Sequence, residues 1–173
     1  ITVALVLLLQ TRIGSIPPIG TLLDPFAGFW QNAESMTLNW PESLAVDGLS
    51  SPVEVVYDDR LVPHIFAQND EDLYFAQGYV EARHRLWQMD FMSRLASGQL
   101  AEVIGNSVLN IDRYFRRLGM PKAIEEAWAL IEKDPQARSV MLAYTKGVNT
   151  YIQSLSPRDY PLEFKLLDYA PSN

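Results

Sequence analysis

The chain has 173 residues, 48% of them hydrophobic and 20% charged, and its 14 Lys and Arg against 21 Asp and Glu leave a net charge of −7. That is an ordinary globular composition at a length that buries a sizeable core, so global disorder is excluded. A pI near 4.8 argues against nucleic acid as the main partner, and the absence of cysteine excludes a disulfide framework, a Cys nucleophile and a thiolate metal site.

Ile1 to Leu9 is almost wholly apolar and ends at Gln10 and Arg12. The run is too short to span a bilayer, which takes about 20 apolar residues. Two readings are open: the remnant of a secretory signal or N-terminal membrane anchor, or a buried apolar strand, which Val, Ile and Thr suit. From Ser15 to Leu49 no helical period is sustained. Pro17, Pro18, Gly20, Pro25, Gly28, Pro41 and Gly48 punctuate the segment, which predicts an extended arm. Its Leu22, Leu23, Phe26, Phe29, Trp30 and Trp40 need a surface to cover them.

Beyond Pro52 the pattern sharpens. Val53, Val55 and Tyr57 alternate with Glu54, Val56 and Asp58, Asp58-Asp59-Arg60 reads as a turn, and Val62 to Ala67 reads as a return strand with Pro63 near its start. Asn69 or Asp70 then caps a helix whose acidic first turn (Asp70, Glu71, Asp72) suits the positive end of the helix dipole. Phe75, Tyr79, Ala82, Leu86 and Met89 step by 4, 3, 4, 3, a helical stripe widened by Ala76, Val80 and Trp87, so most of this helix is expected to be buried. Gly98 and Gly105 bracket a break. Pro121 opens a helix with Ile124, Ala127, Trp128 and Ile131 on one face. Asp134-Pro135 caps another, carrying Ala137, Met141, Tyr144, Val148, Tyr151 and Leu155, and Pro157 and Pro161 end it.

On their own, these residues compose no credible catalytic set. His64 and His84 are twenty positions apart, without the spacing of a two-His metal site on one helix. Neither a nucleophile elbow nor a phosphate-binding or calcium loop is present. His64 reads as a structural hydrogen-bonding residue and His84 as a surface or salt-bridge residue. The carboxylates Asp70, Glu71, Asp72, Glu81, Asp90 and Glu102 are explained by helix capping and surface ion pairs. Arg113, Arg116 and Arg117, beside Tyr114 and Phe115, are expected to pair with internal carboxylates.

Several stretches nevertheless resemble one family. Val55-Val56-Tyr57-Asp58-Asp59-Arg60-Leu61-Val62-Pro63-His64-Ile65-Phe66-Ala67 is similar to an opening hairpin of pattern V-x-x-D-x-x-G-V-P-H-I-x-A. Asp72 to Met89 resembles a helix D-x-x-x-A-x-G-Y-V-x-A-x-D-R-L-x-Q-M, and Arg94 to Gly105 follows R-x-x-x-G-x-L-A-E-x-x-G. Asp112 to Gly119 and Phe164-Lys165-Leu166-Leu167 continue the likeness in order. These are segments of the penicillin acylase (penicillin amidase) family of N-terminal nucleophile hydrolases, and the resemblance covers about residues 53–170. Leu61 stands where the family usually has Gly, which predicts a turn without positive φ there. His84 stands where Asp is common.

The resemblance implies an α+β fold: a mainly helical α-chain portion with a short β-hairpin, part of an αββα sandwich completed by a β chain. It implies this organisation: residues 1–12 as signal or anchor remnant or apolar strand, 13–52 as the Pro/Gly-rich arm, and 53–173 as the α-chain region. In the family a single precursor cleaves itself into α and larger β chains. The β chain's first residue, normally Ser, is the nucleophile, and its own α-amino group is the base. The expectation is therefore a periplasmic or membrane-anchored bacterial amidohydrolase subunit acting with a larger β chain on a small-molecule N-acyl amide. No catalytic or metal residue is expected in this chain, and its substrate-binding residues are left unassigned. No cofactor is needed for catalysis. The resemblance allows a structural calcium, with ligands mostly outside this chain and beyond the Phe164–Asn173 segment. Tyr79, Trp87, Tyr144 and Tyr151 are core by default. Rival readings are an acyl-homoserine lactone or lipopeptide acylase of the same family, a non-catalytic membrane-anchored binding module, and an independent hydrolase with His64 as base.

Overall fold

The computed structural model describes residues 2–13, 16, 18–33 and 43–172. Its helices are α1 (Thr2–Gln10), α2 (Ile19–Leu22), α3 (Trp30–Ala33), α4 (Asp70–Ser97), α5 (Ala101–Ile104), α6 (Leu109–Arg117), α7 (Met120–Ile131), α8 (Pro135–Ser154) and α9 (Leu162–Leu167). Strands β1 (Glu54–Tyr57) and β2 (Pro63–Phe66) lie between α3 and α4, and single 3-10 turns cover Asn106–Val108 and Pro157–Asp159. A helical chain portion with one short hairpin is the expected fold class. The described residues form two units, an arm unit from 2–13, 16, 18–33, 87–121 and 155–172 and a hairpin unit from 43–86 and 122–154.

In the hairpin unit β1 and β2 pair antiparallel, Glu54 opposite Phe66 and Tyr57 opposite Pro63. Pro63 occupies the first position of its strand, where a missing N–H is tolerated. Val55, Tyr57, Pro63 and Ile65 are half-buried, whereas Glu54, Val56, His64 and Phe66 face solvent. The turn differs from expectation, because Leu61 has φ +60°. Asp58 makes that geometry tenable. Its Oδ1 accepts the Arg60 and Val62 N–H groups at 2.9 Å each, and its main chain bonds Leu61 N and Val62 O. Four hydrogen bonds outweigh a strain of roughly 1 kcal/mol at one residue.

Asn69 caps α4, its Oδ1 accepting the Asp72 N–H at 2.8 Å. The expected stripe buries Phe75, Ala82 and Leu86, joined by Asp72, Ala76, Gly78 and Val80. Burial stops there: no α4 residue beyond Leu86 is fully buried, and Arg85 leaves helical geometry at φ −138°, ψ 22°. Asp134 caps α8 as expected, accepting Gln136 N–H at 3.0 Å with Pro135 in the first helical position. Helices α4 and α8 approach backbone to backbone. A Cβ on Gly78 would stand 2.2 Å from the Tyr144 carbonyl oxygen, and one on Gly147 would stand 2.0 Å from that of Phe75. Tyr79 meets Tyr151 edge-on with centroids 5.4 Å apart.

In the arm unit the strand alternative for the first residues is replaced by helix α1. A lone strand leaves its backbone unpaired, whereas a helix satisfies its own, and Ala4, Leu5 and Leu7 to Gln10 are good helix formers. Residues 19–22 and 30–33, expected to be extended, form single helical turns instead. Asp24 links them by accepting the Phe26 and Ala27 N–H groups. Lys165 ties this segment to α9, donating to Gly28 O, Asn32 Oδ1 and Arg158 O at 3.1, 2.7 and 2.8 Å. Asn32 Nδ2 donates in turn to Tyr160 O. Phe164 is fully buried between the Tyr160 and Tyr169 rings. Trp40, Pro17 and Pro41 of the predicted arm lie outside the described residues.

Candidate functional site

Both histidines lie in the hairpin unit and are bonded to other groups. His64 Nε2 is 3.6 Å from Asp58 Oδ2 on the exposed hairpin. His84 Nε2 lies 3.1 Å from the Tyr57 hydroxyl. Burial, then the Arg83 and Arg85 charges, lowers the His84 pKa, and burial raises that of Tyr57.

Asp72 departs from the surface role expected of it. It is 2% exposed. It accepts Ser50 N–H at 2.8 Å, Ser50 Oγ–H at 2.7 Å, Ser51 N–H at 2.9 Å and Asn69 Nδ2–H at 2.7 Å. The Ser50 N–H leads these bonds in holding its pKa down at about 2, against the opposing effect of burial. A carboxylate so weakly basic does not take a hydroxyl proton, so Ser50 is positioned rather than activated. Because the folded pKa lies below the unfolded one, the stability Asp72 contributes is complete above about pH 4 and is lost as pH falls towards 2. Acid titration of urea midpoints should show a falling limb between those pH values. Asp72→Asn should be less stable at neutral pH and flatter in that window. Parallel curves would remove Asp72 from this role.

The Arg94–Gly105 run forms a scaffold in the arm unit. Arg94 donates to Asp90 at 2.9 Å and Glu102 at 3.3 Å, and its guanidinium lies 5.3 Å from the centre of the Tyr169 ring. The Tyr169 hydroxyl donates to Asp90 at 2.8 Å, and burial ahead of that carboxylate raises its pKa. Gly98 turns the chain with φ +66°, and a side chain there would strike the Asp112 carbonyl. Asp112, buried, then accepts the Leu100 and Ala101 N–H groups at 2.9 and 2.8 Å. Arg116, expected to pair with a carboxylate, instead donates to Gly98 O at 2.8 Å, because that carbonyl is left without a helical partner at the end of α4.

The hairpin unit also exposes apolar surface. The sheet has two strands, so among the described residues neither edge is paired, and Val56 and Phe66 stand uncovered on its outer face. Helix α7 turns Ile124, Trp128 and Leu130 outward and buries none of its residues. The predicted stripe of Ile124, Ala127, Trp128 and Ile131 is thus a face without a cover among the described residues. An isolated hairpin is marginal in water, and unpaired edges are templates for further strands. No group of three or more His, Asp or Glu is placed to hold a metal among the described residues, and Asp72 is saturated by its four donors. No calcium ligand is assigned in this chain.

Residues 52–173 match the family model for penicillin amidase. The chain belongs to the penicillin amidase family. It is 38% identical over 129 residues to the penicillin acylase 2 proenzyme of Pseudomonas sp. strain SE83, an overlap of 75% of this chain and 16% of that protein. It is 29% identical over 140 residues to the penicillin G acylase of Escherichia coli, covering 79% of this chain and 16% of that protein. The acyl-homoserine lactone acylase QuiP of Pseudomonas aeruginosa is 31% identical over 126 residues, 73% of this chain and 14% of that protein. Among solved structures, a thermostable penicillin G acylase from Alcaligenes faecalis superposes with a TM-score of 0.62 at 30% identity, over 70% of this chain and 64% of that one. The chain therefore spans about a sixth of the length of the curated penicillin acylases it matches.

This member of the penicillin amidase family uses its family-like motifs as framework. Asp58 closes the hairpin turn, Gly78 admits α8, and Arg94, Gly98 and Glu102 brace the turn into α5. Sequence reasoning missed the internal roles of Asp72 and Asp112, since a carboxylate that caps a distant loop has no local signature.

Proposed function

We propose that this chain is part of the α subunit of an amidohydrolase that cleaves linear amide bonds of N-acyl compounds. The nucleophilic Ser stands at the N-terminus of a separate, larger β chain. The observation that carries this reading is the match over residues 52–173, in which the hairpin, α4 and the Arg94–Gly105 turn follow one another as in the family. The name of the Pseudomonas relative, a proenzyme, supports processing from a precursor. The unpaired hairpin edges and the uncovered faces of α7 and the hairpin suit a chain that completes an αββα sandwich with a partner. In this mechanism the Ser hydroxyl attacks the amide carbonyl and passes its proton through the terminal amine to the departing amine. Water then releases the acyl group from the ester. Backbone and side-chain donors of the β chain hold the oxyanion. The apolar N-terminal segment supports a periplasmic setting.

The test is intact-mass spectrometry and N-terminal sequencing of everything that co-purifies with this chain, followed by assay of the complex. A larger chain beginning with Ser, with amide hydrolysis abolished by replacing that Ser with Ala, is the expected result. This chain alone, folded and monodisperse, would overturn the reading in favour of a binding module. The likeness to acyl-homoserine lactone acylases makes long-chain N-acyl substrates the second reading. Parallel assays of benzylpenicillin and N-acyl-homoserine lactones separate the two.

A further inference from the structure

Asp47 is the single Asp or Asn in the sequence that is followed by glycine. At such a pair the glycine nitrogen can reach the aspartate carboxyl carbon and close a five-membered ring, a step favoured by proximity. No side chain on the glycine stands in the way. The fold of the hairpin unit keeps the glycine in place. Gly48 has φ +117°, and a Cβ there would lie 2.9 Å from both Lys146 Cε and Phe75 Cε2. Conformation and packing both call for a residue without a side chain.

Nothing has to be broken for the two groups to meet. Asp47 is exposed, and neither its carboxylate nor the Gly48 N–H makes a hydrogen bond among the described residues. Lys146 Nζ donates to the Gly48 carbonyl at 3.4 Å, a positive charge on the residue whose nitrogen must give up its proton. Other aspartates are placed differently. Asp24 and Asp134 precede prolines, which have no N–H to lose. The Asp58 and Asp72 carboxylates are occupied by N–H donors. Asp90 and Asp112 lie inside α4 and α6, where the next N–H belongs to the helix ladder.

We infer that the Asp47–Gly48 peptide of the folded chain rearranges spontaneously to isoaspartate. The Gly48 nitrogen, losing its proton, attacks Cγ of Asp47, and the carboxyl hydroxyl departs as water. Water then opens the succinimide at the former main-chain carbonyl carbon of Asp47. That carbon becomes the free carboxylate, and Cγ now carries the peptide bond to Gly48. One water leaves and one returns, so the mass is unchanged while the main chain gains a carbon. The insertion falls just before Ser50 and Ser51, whose N–H groups clamp Asp72. This rearrangement is independent of the amidohydrolase reading.

For the test, the protein carrying this chain is held folded in buffer at physiological temperature, sampled over weeks and digested. Electron-transfer fragmentation of the peptide spanning residue 47 tells aspartate from isoaspartate of equal mass. Isoaspartate at 47 is expected to build up about tenfold faster than at any other described aspartate. A species lighter by one water should precede it. Asp47→Glu must close a larger ring and should reduce the product to background. That variant keeps the charge at an exposed site, so the fold is retained. A synthetic peptide of residues 43–52 reports the same chemistry without the fold. Three results would overturn the inference. They are an unmodified Asp47 in the folded protein once the peptide has isomerised, accumulation no faster than at the other aspartates, and undiminished product in Asp47→Glu.

Discussion

Gly147→Ala is expected to destabilise the chain by about 3 kcal/mol, a sign opposite to that of an ordinary glycine-to-alanine change in a helix. Helix propensity alone favours alanine by about 1 kcal/mol. Against that stands the Phe75 carbonyl oxygen, 2.0 Å from where the new methyl carbon would lie, with Tyr79 N at 3.0 Å. Both obstacles are backbone, so no side chain can rotate away, and α4 and α8 must separate. Gly78→Ala meets the Tyr144 backbone in the same way at 2.2 Å. Once either substitution has parted the helices the other finds room, so the double variant should cost less than the sum of the singles. Urea midpoints of the three variants test this. A stabilised Gly147→Ala would disprove the close approach.

Phe164→Ala should cost about 4 kcal/mol, in the range for emptying a buried aromatic site. The side chain is 0% exposed, and its ring lies 4.8 Å from that of Tyr169 and 6.4 Å from that of Tyr160. Its removal loosens the helix that carries Lys165, whose three donated hydrogen bonds hold residues 28 and 32 and the carbonyl of Arg158. Hydrogen exchange should therefore speed up in α9 and across residues 19–33. Phe164→Leu, which keeps most of the volume, should lose less than half as much. Equal losses from the two variants would argue against a packing role.

Much of the architecture was legible in the residues because local signals coincided. Alternation and Pro63 marked the hairpin, Asn69 and the acidic turn marked the start of α4, and Asp134-Pro135 marked that of α8. The likeness of the Val55–Ala67, Asp72–Met89 and Arg94–Gly105 runs to penicillin amidases led to the family. Where expectation failed, a distant partner had overruled the local preference. Leu61 reads as a residue that avoids positive φ, yet Asp58 holds it at +60°. Residues 19–22 and 30–33 look like an extended arm, yet they coil between Asp24 and Lys165. Gly78 and Gly147 carried a usable signal, since glycine inside a helix is unfavourable and its presence hints at a close approach.

What this sequence determined by itself was the hairpin, the helices α4, α7 and α8 and the family they belong to, because capping, periodicity and turn chemistry act over a few residues. The tertiary structure alone decided that Asp72 is a buried clamp rather than a surface cap, that Asp112 is a second buried clamp, and that Arg94 serves Asp90, Glu102 and Tyr169. It also decided that two glycines admit a backbone. Those outcomes depend on which residues far apart in the chain come within about 3 Å of one another, a distance at which hydrogen bonding and steric exclusion outweigh local propensity.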